Sequence, residues 1–269
     1  MMPGMNFQHR DTDSTVAYDG SFPGFLCACA EALNAPEPVP RVVKSTVLES
    51  LFEERCAVKR DDDRAAALWT RLTKRAGPEA MRSLLEAFLS DIAEADSVAA
   101  RAMRRVWMEG PSSLRDLSDS VMLDLEKAAR RASMEAHLYC GFVRFSELSD
   151  GSWYAPVKPA CDVLVLIADH FAARFSTMRF AIHDLGRGSA VLHEPGKGWS
   201  LADDFGLGTE SGTADELLSG TERDIRRLWQ LYFDTIAIES RHNPKLQSSK
   251  MPKHYWNLLI EMNRGEPSA

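Results

Sequence analysis

The chain has 269 residues, of which 45% are hydrophobic and 26% are charged, and its formal net charge at pH 7 is −7. This composition predicts a globular protein with a substantial core, built as one large domain or two ordinary ones. The negative charge argues against indiscriminate coating of nucleic acid or anionic membranes, because polyanions are repelled at long range. Any contact with nucleic acid must therefore be local.

The sequence also bears on location and redox chemistry. No apolar run approaches the roughly 18 residues needed to cross a bilayer, and MMPGMNFQHRDTD at the start lacks the apolar centre of a secretory signal. We therefore expect a cytoplasmic location. The five cysteines, an odd number without metal-ligand spacing, argue against a disulfide framework and against a metal site. Neither a metal nor a cofactor is predicted.

The N-terminal part predicts a strand, a turn and a helix. The first residues are polar and predict a disordered tail over residues 1–13. STVAYDG is typical of a short strand that ends in Asp-Gly, after which Ser21 can cap a helix with Pro23 in its first turn. The proline-spaced APEPVPRVV then leads into a second strand.

From about residue 46 to residue 139 the sequence is helical in character. Ala, Leu, Arg, Glu and Met dominate, and apolar residues recur at three- and four-residue spacing. DDDRAAALWTRLTKRAG has an acidic start and a basic end, which matches the polarity of a helix, and a glycine stops it. Pro78 begins a helix that runs to Gly110, and a further helix begins near Ser113.

The pattern changes to strands at Gly141. GFVRFSELSDGSWYAPV predicts a hairpin around Asp-Gly, whereas CDVLVLIADHFAARF predicts a helix by its length and spacing. MRFAIHD and SAVLHE predict two strands around a Gly-Arg-Gly turn, and KGWSL predicts another. A glycine-rich loop then leads to a long helix from about Thr213 to Arg241, and the last helix begins near Pro252.

These elements predict the α+β class. We expect a mainly antiparallel sheet over residues 141–202, joined by the N-terminal strands and packed with helices. The helices of about residues 46–139 form an insertion between the N-terminal strands and this sheet. Residues 14–269 are thus predicted to form a single α+β domain.

Five separated stretches of this sequence resemble one bacterial family. They are YDGSFPGFLCACAEAL, EAHLYCGFVRFSEL, WYAPVKPACDVLVLIADHFAARF, MRFAIHDLGRGSAVLHE, and RHNPKLQ with MPKHYW. The family is a domain of unknown function associated with DNA metabolism and linked to a radical-SAM protein of DNA modification or repair. Some relatives are fused to a uracil-DNA glycosylase superfamily domain. The resemblance implies a pathway rather than a reaction, and it implies that a glycosylase would act in trans.

Two motifs in the middle of the chain carry candidate binding residues. In GFVRF, Phe142 and Arg144 would lie on one strand face, where they could stack a base and neutralise a phosphate. Alternatively, Phe142 faces the core and Arg144 pairs with a carboxylate such as Glu147. In HFAARF, His170 and Arg174 lie on one helix face and could grip a phosphate, or His170 could act as a general acid or base. A structural histidine bound to a backbone carbonyl is the alternative.

The third candidate is a basic segment near the C-terminus. Between Arg241 and Arg264, five basic residues and one acidic residue give a net charge of +4. We expect an exposed loop from Arg241 to Lys253 that suits phosphate contact, and a buried Trp256 that anchors the last helix. The alternative is that the aromatic residues dock the C-terminus while the lysines only solubilise it.

The sequence therefore predicts a DNA-binding protein of DNA metabolism or repair that works with a radical-SAM partner, and with a glycosylase in trans. The alternative is a non-catalytic interaction module or scaffold for the radical-SAM partner. Whether the protein is an enzyme stays open, with His170 as the candidate catalytic residue. The candidate nucleic-acid-binding residues are Arg144, His170, Arg174, Arg179, Arg241, Asn243, Lys245, Gln247 and Lys253.

Overall fold

The computed structural model describes residues 14–46, 55–207, 214–236, 238 and 243–262. It combines helices with two sheets, and the predicted α+β class is confirmed. The chain divides into two compact units, Met1–Ala132 and Ser133–Ala269. The expected tail at residues 1–13 lies outside the described residues, and the prediction of one domain stays a prediction.

The first unit contains a three-stranded parallel sheet in the order β2-β1-β3. The β1 strand is buried along its whole length, and helix α1 connects it to β2. The β3 strand was not predicted, since its three residues are too short to show an alternating pattern. The elements are β1 (Thr15–Tyr18), α1 (Phe22–Asn34), β2 (Arg41–Lys44) and β3 (Arg55–Ala57).

The turn from β1 into α1 has the predicted cap. The Ser21 hydroxyl accepts a hydrogen bond from the Gly24 amide at 3.1 Å. The Asp19 carboxylate reaches over the same turn, where it accepts from the amide and the hydroxyl of Ser21 at 3.0 and 2.7 Å. A Cβ atom on Gly24 would lie 2.0 Å from this carboxylate, so glycine is required if Asp19 is to keep its position.

The helices of the first unit follow the sequence pattern with two corrections. The helix predicted from Pro78 to Gly110 is two helices, because Ser90 bonds back to the Ala87 carbonyl and Glu94 adopts a left-handed φ of 61°. The helix expected from Ser113 begins later, after a 3₁₀ turn at Pro111–Arg115. The helices are α2 (Asp62–Ala76), α3 (Pro78–Phe88), α4 (Ala95–Glu109) and α5 (Ser120–Phe142), whose last residues belong to the second unit.

A buried polar contact joins the sheet of the first unit to α4. The Tyr18 hydroxyl donates to an Asp96 carboxylate oxygen at 2.8 Å. Burial raises the pKa of both groups above their ordinary values, with the Asp96 charge as a further cause for Tyr18. Aromatic rings of α1, α2 and α3 pack nearby with centroid distances of 4.9 to 6.1 Å. These rings are Phe22, Phe25, Trp69 and Phe88.

The second unit contains a five-stranded sheet in the order β4-β5-β6-β7-β8. Strands β5 and β6 are parallel and are connected by α6, whereas the other neighbouring pairs are antiparallel. The predicted helix and the strands after it are thus confirmed. The elements are β4 (Ser146–Glu147), β5 (Trp153–Val157), α6 (Leu164–Arg174), β6 (Phe180–Asp184), β7 (Ser189–Glu194) and β8 (Gly198–Ala202).

Two expectations about this sheet are wrong. The N-terminal strands do not join it, because β1 already pairs with β2 and β3 on its two sides. The GFVRF segment is not a strand either. Gly141 and Phe142 end α5, where the Val143 amide still donates to the Tyr139 carbonyl at 3.1 Å, and residues 143–145 connect α5 to β4.

An ion pair between the exposed Arg187 and the buried Asp184 holds the loop after β5. The Arg187 guanidinium donates to the Asp184 carboxylate at 2.8 Å and to the carbonyls of Pro159 and Ala160 at 3.1 and 2.5 Å. The Glu135 carboxylate of α5 accepts from the next amide, that of Cys161, at 2.8 Å. Both side chains therefore fix the backbone that leads into α6.

The C-terminal part differs from the prediction at three points. The long helix begins at Gly220 rather than near Thr213, and Pro244–Lys250 form a helix where a loop was expected. The Asn243 side chain caps that helix by accepting from the Leu246 amide at 3.0 Å. Trp256 is only half-buried. The elements are α7 (Gly220–Ile236), α8 (Pro244–Lys250) and a 3₁₀ helix (Lys253–Leu258). Tyr255 in the 3₁₀ helix and Leu259 directly after it are buried.

We searched the described residues for membrane spans. None of their helices combines the length and the apolar character that crossing a bilayer requires.

The turn after β1 gives a test of the packing between Asp19 and Gly24. The Gly24→Ala variant should lower the free energy of unfolding by about 1 kcal/mol, since the new methyl displaces the carboxylate from its hydrogen bonds. In an Asp19→Ala background the same change should raise it by up to about 1 kcal/mol, because alanine favours a helix over glycine. Urea denaturation followed by circular dichroism measures both effects, and the same sign in both backgrounds would contradict this packing.

Candidate nucleic-acid interface

Residues 142–145 are the point where two candidate motifs of the second unit meet. On one side, the Phe145 ring packs against Phe171 and Phe175 of the HFAARF motif, with centroid distances of 5.4 and 5.2 Å. It also contacts Phe180 of β6 at 5.3 Å. This aromatic cluster fixes the C-terminal end of α6 against the start of β6.

The C-terminal segment lies on the other side of residues 142–145. The Phe142 and Tyr255 ring centroids are 5.0 Å apart, and Arg144 Nη2 is 3.7 Å from Glu261 Oε1. Glu261 also accepts from the indole nitrogen of Trp229 in α7 at 3.1 Å. Arg144 is therefore paired, but not with Glu147, which accepts from the Ser219 hydroxyl at 2.8 Å instead.

His170 and Arg174 lie on one face of α6, as the spacing predicts, and both are exposed. The guanidinium of Arg174 lies 5.7 Å from the centroid of the Phe175 ring, a cation–π distance. The His170 ring stands edge-on to Phe171 at 5.0 Å. Within the described ranges neither side chain forms an ion pair or a hydrogen bond, so the alternative of a carbonyl-bound histidine is not observed. A catalytic role of His170 stays a prediction.

The basic C-terminal segment forms α8 and the 3₁₀ helix after it. Lys245, Lys250 and Lys253 are exposed, and residues 243–260 include no Asp or Glu. Lys253 Nζ lies 5.9 Å from the centroid of the Trp256 ring. Gln247 is half-buried, and its amide nitrogen is 3.7 Å from the sulfur of Met262.

The structure divides the predicted cations into two groups. Arg144 and Arg179 each have a carboxylate partner, since Arg179 Nη2 is 2.5 Å from Asp150 Oδ2. In the part of the chain that the structure describes, three of the predicted cations have no such partner, and Arg241 lies outside that part. The three are Arg174, Lys245 and Lys253. An arginine beside a carboxylate attracts a phosphate less, because part of its field is already neutralised.

The sequence did not predict a half-buried pair on the sheet. The Tyr154 hydroxyl and His183 Nδ1 are 2.9 Å apart, and the Phe205 ring stands edge-on to the imidazole at 5.1 Å. Burial lowers the pKa of His183 and raises the pKa of Tyr154 to about 12, so both groups are neutral near pH 7. The neighbouring Asp184 accepts from Arg187 at 2.8 Å. The pair could not be found from sequence, since it depends on the register of β5 and β6.

Over the described ranges, no group of three or more His, Cys, Asp or Glu side chains could hold a metal ion.

The structure thus defines an α+β protein in which the exposed cations Arg174 and Lys253 lie beside half-buried aromatic rings. The chain belongs to the family described as Domain of unknown function (DUF4130), whose model matches residues 93–261. The match therefore includes α6, residues 142–145, and α8 with the 3₁₀ helix. No curated protein and no solved structure matches the chain.

The pair of Tyr154 and His183 predicts a pH dependence of stability. Burial lowers the folded-state pKa of His183 below its ordinary value of 6.5, so the unfolded chain binds a proton first as the pH falls. The free energy of unfolding should therefore decrease from about pH 7 to about pH 5, and it should decrease less in His183→Gln.

Urea denaturation at several pH values measures this difference. The His170→Gln variant, which replaces an exposed histidine of the same unit, is the matched control for the loss of one histidine. Identical pH profiles for His183→Gln and wild type would contradict the prediction.

Proposed function

We propose that the protein binds DNA through a surface made of the end of α6 and the basic C-terminal segment, and that it acts in DNA metabolism. One observation carries this proposal. Arg174 and Lys253 are exposed, lack a carboxylate partner among the described residues, and each lie within 6 Å of an aromatic ring centre. Cations of this kind release counterions when they bind phosphates. The rings beside them, Phe175 and Trp256, are half-buried and keep part of their surface accessible for stacking on bases.

The arrangement of the surrounding residues supports the same proposal. Arg174 is tied through Phe175 and Phe145 to residues 142–145, and Tyr255 of the C-terminal segment packs on Phe142. Both basic elements thus border one short piece of chain in the same unit. A local surface of this kind is compatible with an acidic protein, because charges separated by more than about 10 Å are largely screened at 0.1 M salt.

The proposed partners are a radical-SAM protein and a glycosylase acting in trans. These partners are supported by the resemblance of the five sequence stretches. HFAARF and MPKHYW, which are parts of two of these stretches, lie in the candidate surface. The family description names neither a ligand nor a partner.

DNA binding is tested by fluorescence anisotropy with labelled single-stranded, duplex and uracil-containing oligonucleotides over a range of salt concentrations. Arg174→Ala and Lys253→Ala should each weaken binding and reduce the slope of log K against log salt by about one, because each removes one phosphate contact. Arg179→Ala is the matched control, with a smaller expected effect because Asp150 already pairs with that arginine.

Absence of binding to all three oligonucleotides would contradict the proposal. Co-expression with the radical-SAM protein separates the remaining possibilities. A stable complex without any DNA binding would favour the scaffold interpretation instead. If His170→Ala leaves DNA processing by the reconstituted system unchanged, the candidate catalytic role of His170 is excluded.

A further inference from the structure

Helix α7 exposes an unusual amount of apolar surface. Its side chains at 225, 228, 229, 232 and 236 follow a spacing of three, one, three and four residues, which places them on one side of a helix. Single exposed apolar residues are normal, but a continuous row marks a contact surface. We call this row the α7 stripe. Its members are between 40% and 62% exposed, and they are Ile225, Leu228, Trp229, Tyr232 and Ile236.

Among the described residues, the hydrogen bonds that hold α7 in the second unit involve one member of the stripe, since the Trp229 indole nitrogen donates to Glu261 at 3.1 Å. Ser219 caps the helix by accepting from the Glu222 amide at 3.0 Å, and Arg226 bonds to Glu222 and to Ser146 of β4. Further along, Gln230 donates to the Ile260 carbonyl at 3.1 Å. These residues lie beside the stripe and anchor the helix along one flank.

The order of residues in the stripe is self-complementary. Ile225 and Ile236 are equally far from the midpoint between Gln230 and Leu231, and so are Trp229 and Tyr232. A second copy of α7 in antiparallel orientation therefore places isoleucine opposite isoleucine and tryptophan opposite tyrosine. Such an antiparallel pair is an isologous two-fold contact, in which the same patch serves both subunits.

Charge and area agree with this arrangement. The stripe includes no charged side chain, so its burial desolvates no ion. Nearby Arg227 and Asp224 already form an ion pair at 2.5 Å. Five half-exposed large side chains on each copy bury roughly 1,000 Å² in total, which is near the lower bound for a specific interface. A weak dimer follows from this area.

We propose that two copies of the chain associate through antiparallel packing of their α7 stripes. This association is separate from DNA binding. It gives α7 an apolar partner and makes the protein a concentration-dependent homodimer.

Sedimentation velocity of the full chain over a wide concentration range tests the dimer. Leu228→Glu should shift the dimer dissociation constant upward by at least tenfold. Leu201→Glu is a matched control, because Leu201 of β8 is similarly exposed at 50% and is not part of α7. A wild-type protein that stays monomeric at all concentrations would overturn the proposal, as would equal shifts in the two variants.

Cross-linking tests the orientation. In a Cys56→Ser background, which removes an exposed thiol, Ile225→Cys and Ile236→Cys are oxidised separately and as a mixture. Antiparallel packing predicts disulfide-linked dimers in the mixture and few in either variant alone. Cross-linking of each variant with itself, or none in the mixture, would overturn the antiparallel arrangement.

Discussion

The packing of Phe145 between α6 and the sheet is the contact on which the candidate surface depends. Its ring packs against Phe171, Phe175 and Phe180. One side chain therefore joins the segment between α5 and β4 to the end of α6 and to β6. Aromatic contacts of this kind bury large areas and restrict ring orientation. Residues 143–145 can contact both α6 and the C-terminal segment only because α5 ends at Phe142, immediately before them. The position of the basic groups thus follows from apolar packing.

Carboxylates decide which of the cations remain available. Glu261 neutralises Arg144 and orients Trp229, and Asp150 neutralises Arg179. These acidic residues come from distant parts of the sequence, so an inspection of local charge cannot identify them. The same logic explains how a chain with net charge −7 can present a basic helix. Carboxylates pair with particular arginines in other parts of the chain. Residues 243–260, which include α8, contain no Asp or Glu of their own.

Periodicity and capping were sufficient to predict most of the elements, but not their pairing. The Ser21 cap and the helix around His170 could be read from spacing, because both are local features. The separation into two sheets could not, since strand register and partner choice depend on contacts distant in sequence. The prediction of a strand at GFVRF was wrong for a related reason. Its alternating pattern resembles a strand, but Gly141 and Phe142 end a helix whose hydrogen bonding continues to Val143. The Tyr154 and His183 pair required the register itself.

The aromatic rings beside the free cations have a further consequence for the entropy of binding. A long basic side chain on a surface normally samples many rotamers, and fixing it on a ligand costs about 0.5–1.5 kcal/mol. Arg174 lies over Phe175 and Lys253 over Trp256 before any ligand arrives. Much of this ordering cost is therefore met when the protein folds. Such cations favour a ligand that fits their existing positions over one that requires them to rearrange.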